Sequence, residues 1–144
     1  MDQRNVTPIS LLQYVPENSS RPKVWTYKFP MPGDKYIPMY ELIVLDAVSR
    51  ETIHVQHSAY PETKELTYSY YWNNAGDALY SIYDDRDEKN LHLLIIDPST
   101  GQAKEILNES SSTYIEWQQP NFEALNNGDF VWFSERSGYG HLYL

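Results

Sequence analysis

Two histidines, His54 and His57, are the first residues whose type and spacing could bind a metal ion. Imidazole nitrogens are common ligands of Zn²⁺. The flanking residues predict a β-strand, however, and residues three apart on a strand point to opposite faces of the sheet. One ion cannot readily take both side chains. A solvated strand end is therefore the favoured interpretation, and we predict no metal site.

An acidic run, Asp84-Asp85-Arg86-Asp87-Glu88, is the second group that could do chemistry. It lacks the central glycine and the ligand spacing of a calcium-binding loop. Two interpretations stay open. In the favoured one the run is a solvated loop in which Arg86 pairs with its neighbours, and in the other it is a rim that contacts a peptide or a partner domain.

The sequence contains no motif typical of a catalytic nucleophile. The segment Ser134-Glu135-Arg136-Ser137-Gly138 does not fit the Gly-x-Ser-x-Gly elbow and lies in a predicted hairpin. No glycine-rich phosphate loop occurs, and the absence of cysteine excludes thiolate chemistry and disulfides. We therefore predict no catalytic residue and no cofactor in this chain. Three N-glycosylation sequons, at Asn5, Asn18 and Asn108, are attributed to chance.

A repeat with a period of about 51 residues gives the framework that must position any site. Tyr40–Asp46 matches Leu91–Asp97, and His141–Leu144 begins a third copy. Upstream halves, Gly76–Tyr83 and Gly128–Ser134, also match each other. Short strands that recur every 40 to 50 residues are typical of propeller blades. The repeat therefore predicts an all-β chain: a partial β-propeller of antiparallel four-stranded blades.

Turn residues place the strands of one complete module. Asn73–Asp77 and Asp97–Gln102 carry the turn chemistry of hairpins, as does Asn127-Gly128 in the next module. The predicted strands of the complete module are residues 68–72, 78–83, 91–97 and 103–107. Tyr40–Asp46 predicts one continuous apolar strand, and no amphipathic helix of convincing length is predicted. The nearest to one is Ile9–Tyr14.

Composition excludes several partners. A net charge of −9 argues against nucleic acid, because phosphate binding needs a basic stripe. It argues equally against anionic membrane surfaces. No apolar run approaches 18 residues, so the sequence predicts no transmembrane helix.

Three landmarks together resemble the dipeptidyl peptidase IV family. Trp25–Leu42 is similar to its Y-P-x-x-G-x-x-N-P-x-x-x-L stretch, and Asp84–Gly101 resembles its NRxQNxLxLxxxDxxTG blade. Phe133–Tyr143 is similar to its SExDGxxHLY blade. The landmarks occur in family order and with family spacing, and they cover most of the chain from about Pro22 to Leu144.

The resemblance implies a serine exopeptidase that releases N-terminal dipeptides, with an eight-bladed propeller capping an α/β-hydrolase domain. This chain would be a middle slice of that propeller. We call the longer protein the parent. Its hydrolase domain, its peptide substrate, and a periplasmic, secreted or membrane-anchored location are implied in the same way. The catalytic Ser-Asp-His would lie outside this chain.

The resemblance also implies two substrate contacts from which this sequence departs. The family holds the substrate's α-amino group with paired glutamates, and no Glu-Glu pair occurs here. It also lines the pocket with an aromatic-arginine pair in the linker before a P-x-F element. The corresponding linker, Tyr114–Phe122, has aromatic residues but no arginine. Glu116 and Trp117 are the residues we expect to line the pocket.

These observations predict the following organisation: residues 1–38 form a Pro-rich extended segment and an incoming strand, 39–64 the end of one blade, 65–110 a complete blade, and 111–144 the start of the next. The leading hypothesis is a non-catalytic propeller segment that gates and orients peptides in the parent. The alternatives are a protein-interaction propeller without peptidase activity and, less favoured, a standalone ligand-binding β-domain.

We further expect self-association, because blades bury their faces only against neighbours and a cut propeller leaves two faces uncovered. The residues expected on these exposed faces are Trp72, Tyr80, Tyr83, Trp132 and Phe133.

Overall fold

A computed structural model describes residues 1–61, 70–116 and 122–144, and in these ranges the regular structure is all β. The described strands are β1 (Pro8–Gln13), β2 (Lys23–Lys28), β3 (Met39–Tyr40), β4 (Ile43–Leu45), β5 (Thr52–His54), β6 (Tyr60–Pro61), β7 (Tyr70–Trp72), β8 (Leu79–Asp84), β9 (Asn90–Ile96), β10 (Ala103–Ser110), β11 (Phe122–Ala124), β12 (Phe130–Ser134) and β13 (His141–Tyr143). No helix in the described ranges has the length and hydropathy needed to cross a membrane.

The chain divides into two compact units, of which the first is Met1–Tyr40. Its main feature is the antiparallel hairpin of β1 and β2, in which Leu11 lies opposite Trp25. The Lys28 ammonium group donates to the carbonyl oxygens of Gln3 and Arg4 at 2.6 and 2.7 Å. Ile9–Tyr14, the segment nearest to a helix by its sequence, thus lies mainly in a strand, because the residues of β1 pair one by one with those of β2.

The second unit, Glu41–Leu144, contains a four-stranded antiparallel sheet with the order β10-β9-β8-β7. This sheet confirms the four-strand pattern predicted from the turns, although residues 68–69 of the first predicted strand lie outside the described ranges. A bulge between Glu105 and Leu107 shifts the register of β10 against β9. The predicted division of the whole chain into blades stays a prediction.

The turn between β9 and β10 shows how local chemistry ends a strand. The Asp97 side chain accepts hydrogen bonds from the Ser99 hydroxyl at 2.6 Å and the Ser99 amide at 2.8 Å. These bonds, with others from Thr100, hold the pKa of Asp97 below its usual value. Gly101 then adopts a φ of 73°, a left-handed conformation that glycine reaches without strain.

Both faces of the four-stranded sheet are covered. Tyr80 and Ile82 of β8 belong to a buried cluster with Leu93, Phe122 and Trp132. On the opposite face, Leu79, Leu94 and Ile96 form a second cluster, against which Leu42, Val44 and Val55 pack. Residues of β9 therefore pack into the hydrophobic clusters on both faces of the sheet. This explains why the strand is a nearly continuous apolar run.

A second sheet, with the order β11-β12-β13, supplies Phe122 and Trp132 to the first of these clusters. The expectation that Tyr80 and Trp132 are exposed is therefore wrong, since they are only 4% and 1% exposed. Neighbouring strands within this chain cover them. Trp72 is 52% exposed, as expected, and Tyr83 and Phe133 are partly buried.

The predicted continuous strand Tyr40–Asp46 is also wrong. The structure ends β3 at Tyr40 and begins β4 at Ile43, with Glu41 and Leu42 between them. The carbonyl of Leu42 accepts a hydrogen bond from the amide of Val55 at 3.1 Å, beyond the end of β5. The apolar run is therefore divided between two separate short strands.

Candidate functional site

An open cleft of about 500 Å³ lies in the second unit, between the segment that leaves β10 and the turn that joins β12 to β13. Its walls are mainly polar, with hydroxyl and carboxylate side chains on both sides. The lining residues are Leu91, Glu109–Glu116, Phe133–Arg136 and Gly138. Side chains from two neighbouring sheets therefore face one another across this cleft.

Backbone hydrogen bonds fix the segment Ser110–Glu116 along the turn between β8 and β9. The amide of Ser111 donates to the carbonyl of Lys89 at 2.9 Å, and the amide of Ile115 donates to that of Glu88 at 2.9 Å. Glu88 itself has a φ of 55°, which is unusual for a residue with a side chain. The acidic run singled out in the sequence thus anchors this wall of the cleft through its backbone.

Glu116, one of the two residues expected to line a pocket, does line the cleft. Its carboxylate accepts a hydrogen bond from the Tyr114 hydroxyl at 2.6 Å, and its side chain is exposed. Trp117 lies outside the described residues. Assignment of these two residues to a peptide pocket stays a prediction.

Glu109 is a residue that the sequence analysis missed. Its side chain is only 11% exposed, and its carboxylate accepts three hydrogen bonds from the neighbouring sheet. The donors are the indole of Trp132 at 2.7 Å, the hydroxyl of Ser134 at 2.6 Å and Nη2 of Arg136 at 3.1 Å. A buried carboxylate needs such donors to offset the loss of hydration. No motif marks Glu109, because its partners lie 23 to 27 residues further along the chain.

Arg136 forms part of the opposite wall. Its Nε donates to the Ser134 hydroxyl oxygen at 3.0 Å, and its guanidinium lies 4.4 Å from the centre of the Tyr143 ring. These contacts hold a planar cation between a polar and an aromatic partner.

The charge of the cleft is negative. Its lining includes the carboxylates of Glu109, Glu116 and Glu135 and the single guanidinium of Arg136, and Arg136 is already paired with Glu109. The two remaining carboxylates are exposed. Opposite charges in a partly enclosed space favour each other, so the cleft favours neutral or cationic groups over anions.

A second polar cluster lies around His92 on β9. Its Nδ1 is 2.7 Å from a carboxylate oxygen of Glu105, and its Nε2 is 3.4 Å from one of Asp85. The ring stacks on Tyr83, with 4.6 Å between centroids, and Tyr83 stacks in turn on Tyr60. Burial, reinforced by the charges of Glu105 and Asp85 and by Tyr60, raises the pKa of Tyr83 to about 12. The phenol is therefore neutral at physiological pH.

His57, one of the two histidines considered for metal binding, has other partners. Nδ1 of His57 is 2.8 Å from the carbonyl oxygen of Ser58, and its Nε2 is 3.4 Å from the hydroxyl of Tyr83. In the described ranges, no group of three or more acidic or histidine side chains has the geometry of a metal site.

Comparison with known families gives a match over the entire chain. The family is described as the dipeptidyl peptidase IV (DPP IV) N-terminal region, and the match covers residues 1–144.

Two solved structures show the same fold. A Bacteroides ovatus protein assigned as a dipeptidyl aminopeptidase IV superposes with a TM-score of 0.74 at 23% identity, and the match covers 98% of this chain. Porphyromonas gingivalis dipeptidyl peptidase 4 gives a TM-score of 0.73 at 23% identity over 96% of this chain. In each case the match covers only 19% of the other protein, so this chain spans about a fifth of their length. The predicted fold class, an all-β partial propeller, is confirmed.

Proposed function

Because this chain belongs to the dipeptidyl peptidase IV N-terminal region family, we propose that it is a non-catalytic propeller segment that orients and gates peptide substrates in its parent. The parent would be a serine-type dipeptidyl peptidase. Its hydrolase domain would supply the nucleophile, and this segment would supply part of the wall past which a peptide must move. The partners of the segment are then the hydrolase domain and, through the parent, the peptide.

One observation carries this proposal: Glu116 lies in the wall of a cleft large enough for a peptide side chain or a short peptide. Its carboxylate is held by Tyr114 and exposed to solvent. Ligand sites are concave and typically enclose a few hundred Å³, with a small number of oriented polar groups. The cleft has such a volume and hydrogen-bonded polar side chains, but its walls are mainly polar, whereas most ligand sites are lined mainly by apolar groups.

Substitution of Glu116 tests the proposal. In the parent enzyme, Glu116→Gln is expected to raise KM for the reporter Ala-Pro-p-nitroanilide by about fivefold, with kcat nearly unchanged, because a uniformly used binding contact affects KM alone. Steady-state kinetics at several reporter concentrations separate the two constants.

Glu123→Gln is the matched control. Glu123 is an exposed glutamate on β11 that does not line the cleft, so the same change of charge should leave both constants as they are. Equal kinetics for Glu116→Gln, Glu123→Gln and the unmodified enzyme would contradict the proposal.

A specific feature supports the alternative role as an interaction scaffold. The β1–β2 hairpin carries exposed apolar side chains, at 53% for Leu11, 59% for Trp25 and 44% for Tyr27. These residues share one face, because Leu11 lies opposite Trp25 and Ile9 opposite Tyr27. Contiguous exposed apolar surface marks sites of protein contact. A binding partner, including a second copy of the chain, could cover this face.

Self-association of the isolated chain follows from this surface. We expect sedimentation velocity at high micromolar concentration to show dimers or larger species. The double variant Leu11→Ser/Trp25→Ser should shift the distribution towards monomer, because it removes apolar area that association would bury. The control Val48→Ser changes an exposed residue in a different turn, 94% exposed, and should leave the distribution as it is. A monomeric unmodified chain at that concentration would argue against this surface.

A further inference from the structure

Glu109 occupies an unusual position, because it belongs to one sheet and accepts hydrogen bonds from another. It lies near the end of β10, and its donors lie on or just after β12. Charge-assisted hydrogen bonds to a mostly buried carboxylate are about twice as strong as neutral ones. Glu109 therefore joins the two sheets by hydrogen bonds at a point where both line the cleft.

The same residue begins the cleft wall that carries Glu116. That wall is held at one end by Glu109 and by the pairing of Ser110 with Asn90, and further along by the hydrogen bonds from Ser111 to Lys89 and from Ile115 to Glu88. The intervening residues, Ser110–Tyr114, have exposed or partly exposed side chains and line the cleft. Of these attachments, those of Glu109 join the wall to the facing sheet, so weakening them lets the wall shift relative to the facing turn.

Glu109 also determines the environment of Arg136. The two side chains are joined directly at 3.1 Å and indirectly through the Ser134 hydroxyl, which donates to Glu109 and accepts from Nε of Arg136. Without the carboxylate, the guanidinium would lose its charge partner and the charge at the cleft wall would become more positive by one. Both effects alter the site without touching Glu116.

We propose that Glu109 is a positioning residue for peptide binding at this cleft, acting through Arg136 and the Ser110–Glu116 wall. This inference rests on the proposed function, because it assumes that the cleft receives the peptide. It goes further in naming the buried contact between sheets that sets the width and charge of the cleft.

The test is Glu109→Gln in the parent enzyme, with Ala-Pro-p-nitroanilide as the probe. Glutamine has the size of glutamate but carries no charge, and only its oxygen can accept, so it cannot satisfy the donors that now bind both carboxylate oxygens. We expect KM to rise about tenfold with kcat within about twofold of the unmodified value, the pattern of a lost binding contribution. A purely structural role would lower the melting temperature and the fraction of active enzyme while leaving KM unchanged. Unchanged KM would therefore overturn the proposal.

Ser134→Ala provides a second variant if Glu109→Gln fails to fold. It keeps the carboxylate and its direct bond to Arg136, and removes the hydroxyl through which the two are also joined indirectly. We expect KM to rise about threefold, as for the loss of a single hydrogen bond. An unchanged KM in this variant would also overturn the proposal.

Ser112→Trp separates this inference from the function on which it rests. Ser112 is exposed in the cleft wall, and an indole there would fill much of the space. If this variant raises KM while Glu109→Gln does not, the cleft receives the peptide and Glu109 does not position it. If Ser112→Trp leaves KM unchanged, the proposed function fails, and the positioning role fails with it.

Discussion

Gly101→Ala is expected to lower the free energy of unfolding by about 3 kcal/mol. Gly101 has a φ of 73°, and a Cβ there would overlap the backbone carbonyl oxygen of His54. The approach is close because Gln56 pairs with this turn: its amide donates to the Gly101 carbonyl at 2.7 Å. The substitution therefore adds a steric clash with a fixed backbone to the conformational strain. Denaturant titration followed by tryptophan fluorescence would measure the loss.

Gly76→Ala is the matched control for this substitution. Gly76 has almost the same φ, 74°, in another hairpin turn, but a Cβ there would meet nothing within 4 Å. It should carry only the conformational cost, about 1 kcal/mol. Equal losses for the two variants would mean that the contact between the β9–β10 turn and His54 does not constrain the chain.

The second large effect is expected for Leu93→Ala, which should destabilise the protein by about 3 kcal/mol. Leu93 is completely buried in the cluster that joins the four-stranded sheet to Phe122 and Trp132. Truncation removes apolar contacts and leaves a cavity between two sheets, where rigid aromatic neighbours limit collapse. Thermal and denaturant unfolding would both report the change.

Leu142→Ala makes the same chemical change on β13, where the side chain is 72% exposed. Its effect should stay within about 0.5 kcal/mol, as for surface positions in general. A small loss for Leu93→Ala, comparable to that of Leu142→Ala, would show that the two sheets do not share a cooperative core.

Comparison of particular elements shows how much of the fold the sequence could predict. The ends of strands β8, β9 and β10 were predicted to within a few residues. The reason is that Asn73–Asp77 and Asp97–Gln102 consist mainly of residues that favour turns by themselves. Glu41 and Leu42 interrupt a run that looked continuous, because Leu42 pairs with Val55 beyond the next turn. That pairing depends on a residue 13 positions away, which apolar patterning does not reveal.

The candidate site was predicted only in part for the same reason. Resemblance to the family led us to expect Glu116 in a substrate pocket; it lines the cleft, and its role in substrate binding stays a prediction. Glu109 lies on β10 as one polar residue among several, and nothing in its neighbours distinguishes it from a solvated side chain. Its partners, Trp132 and Ser134, become neighbours only when two sheets pack together.

The sequence by itself determined the repeat, the strand-turn pattern and, through three landmarks, the family. These properties depend on neighbouring residues or on regular spacing along the chain. Each can be recognised without knowing which distant segments pack together in the core. The tertiary structure alone decided which faces are covered: it buried Tyr80 and Trp132, left the apolar face of β1–β2 exposed, and enclosed the carboxylate of Glu109. Alternation along a strand shows which side chains share a face, whereas burial depends on the surface that packs against that face, and distant parts of the chain provide it.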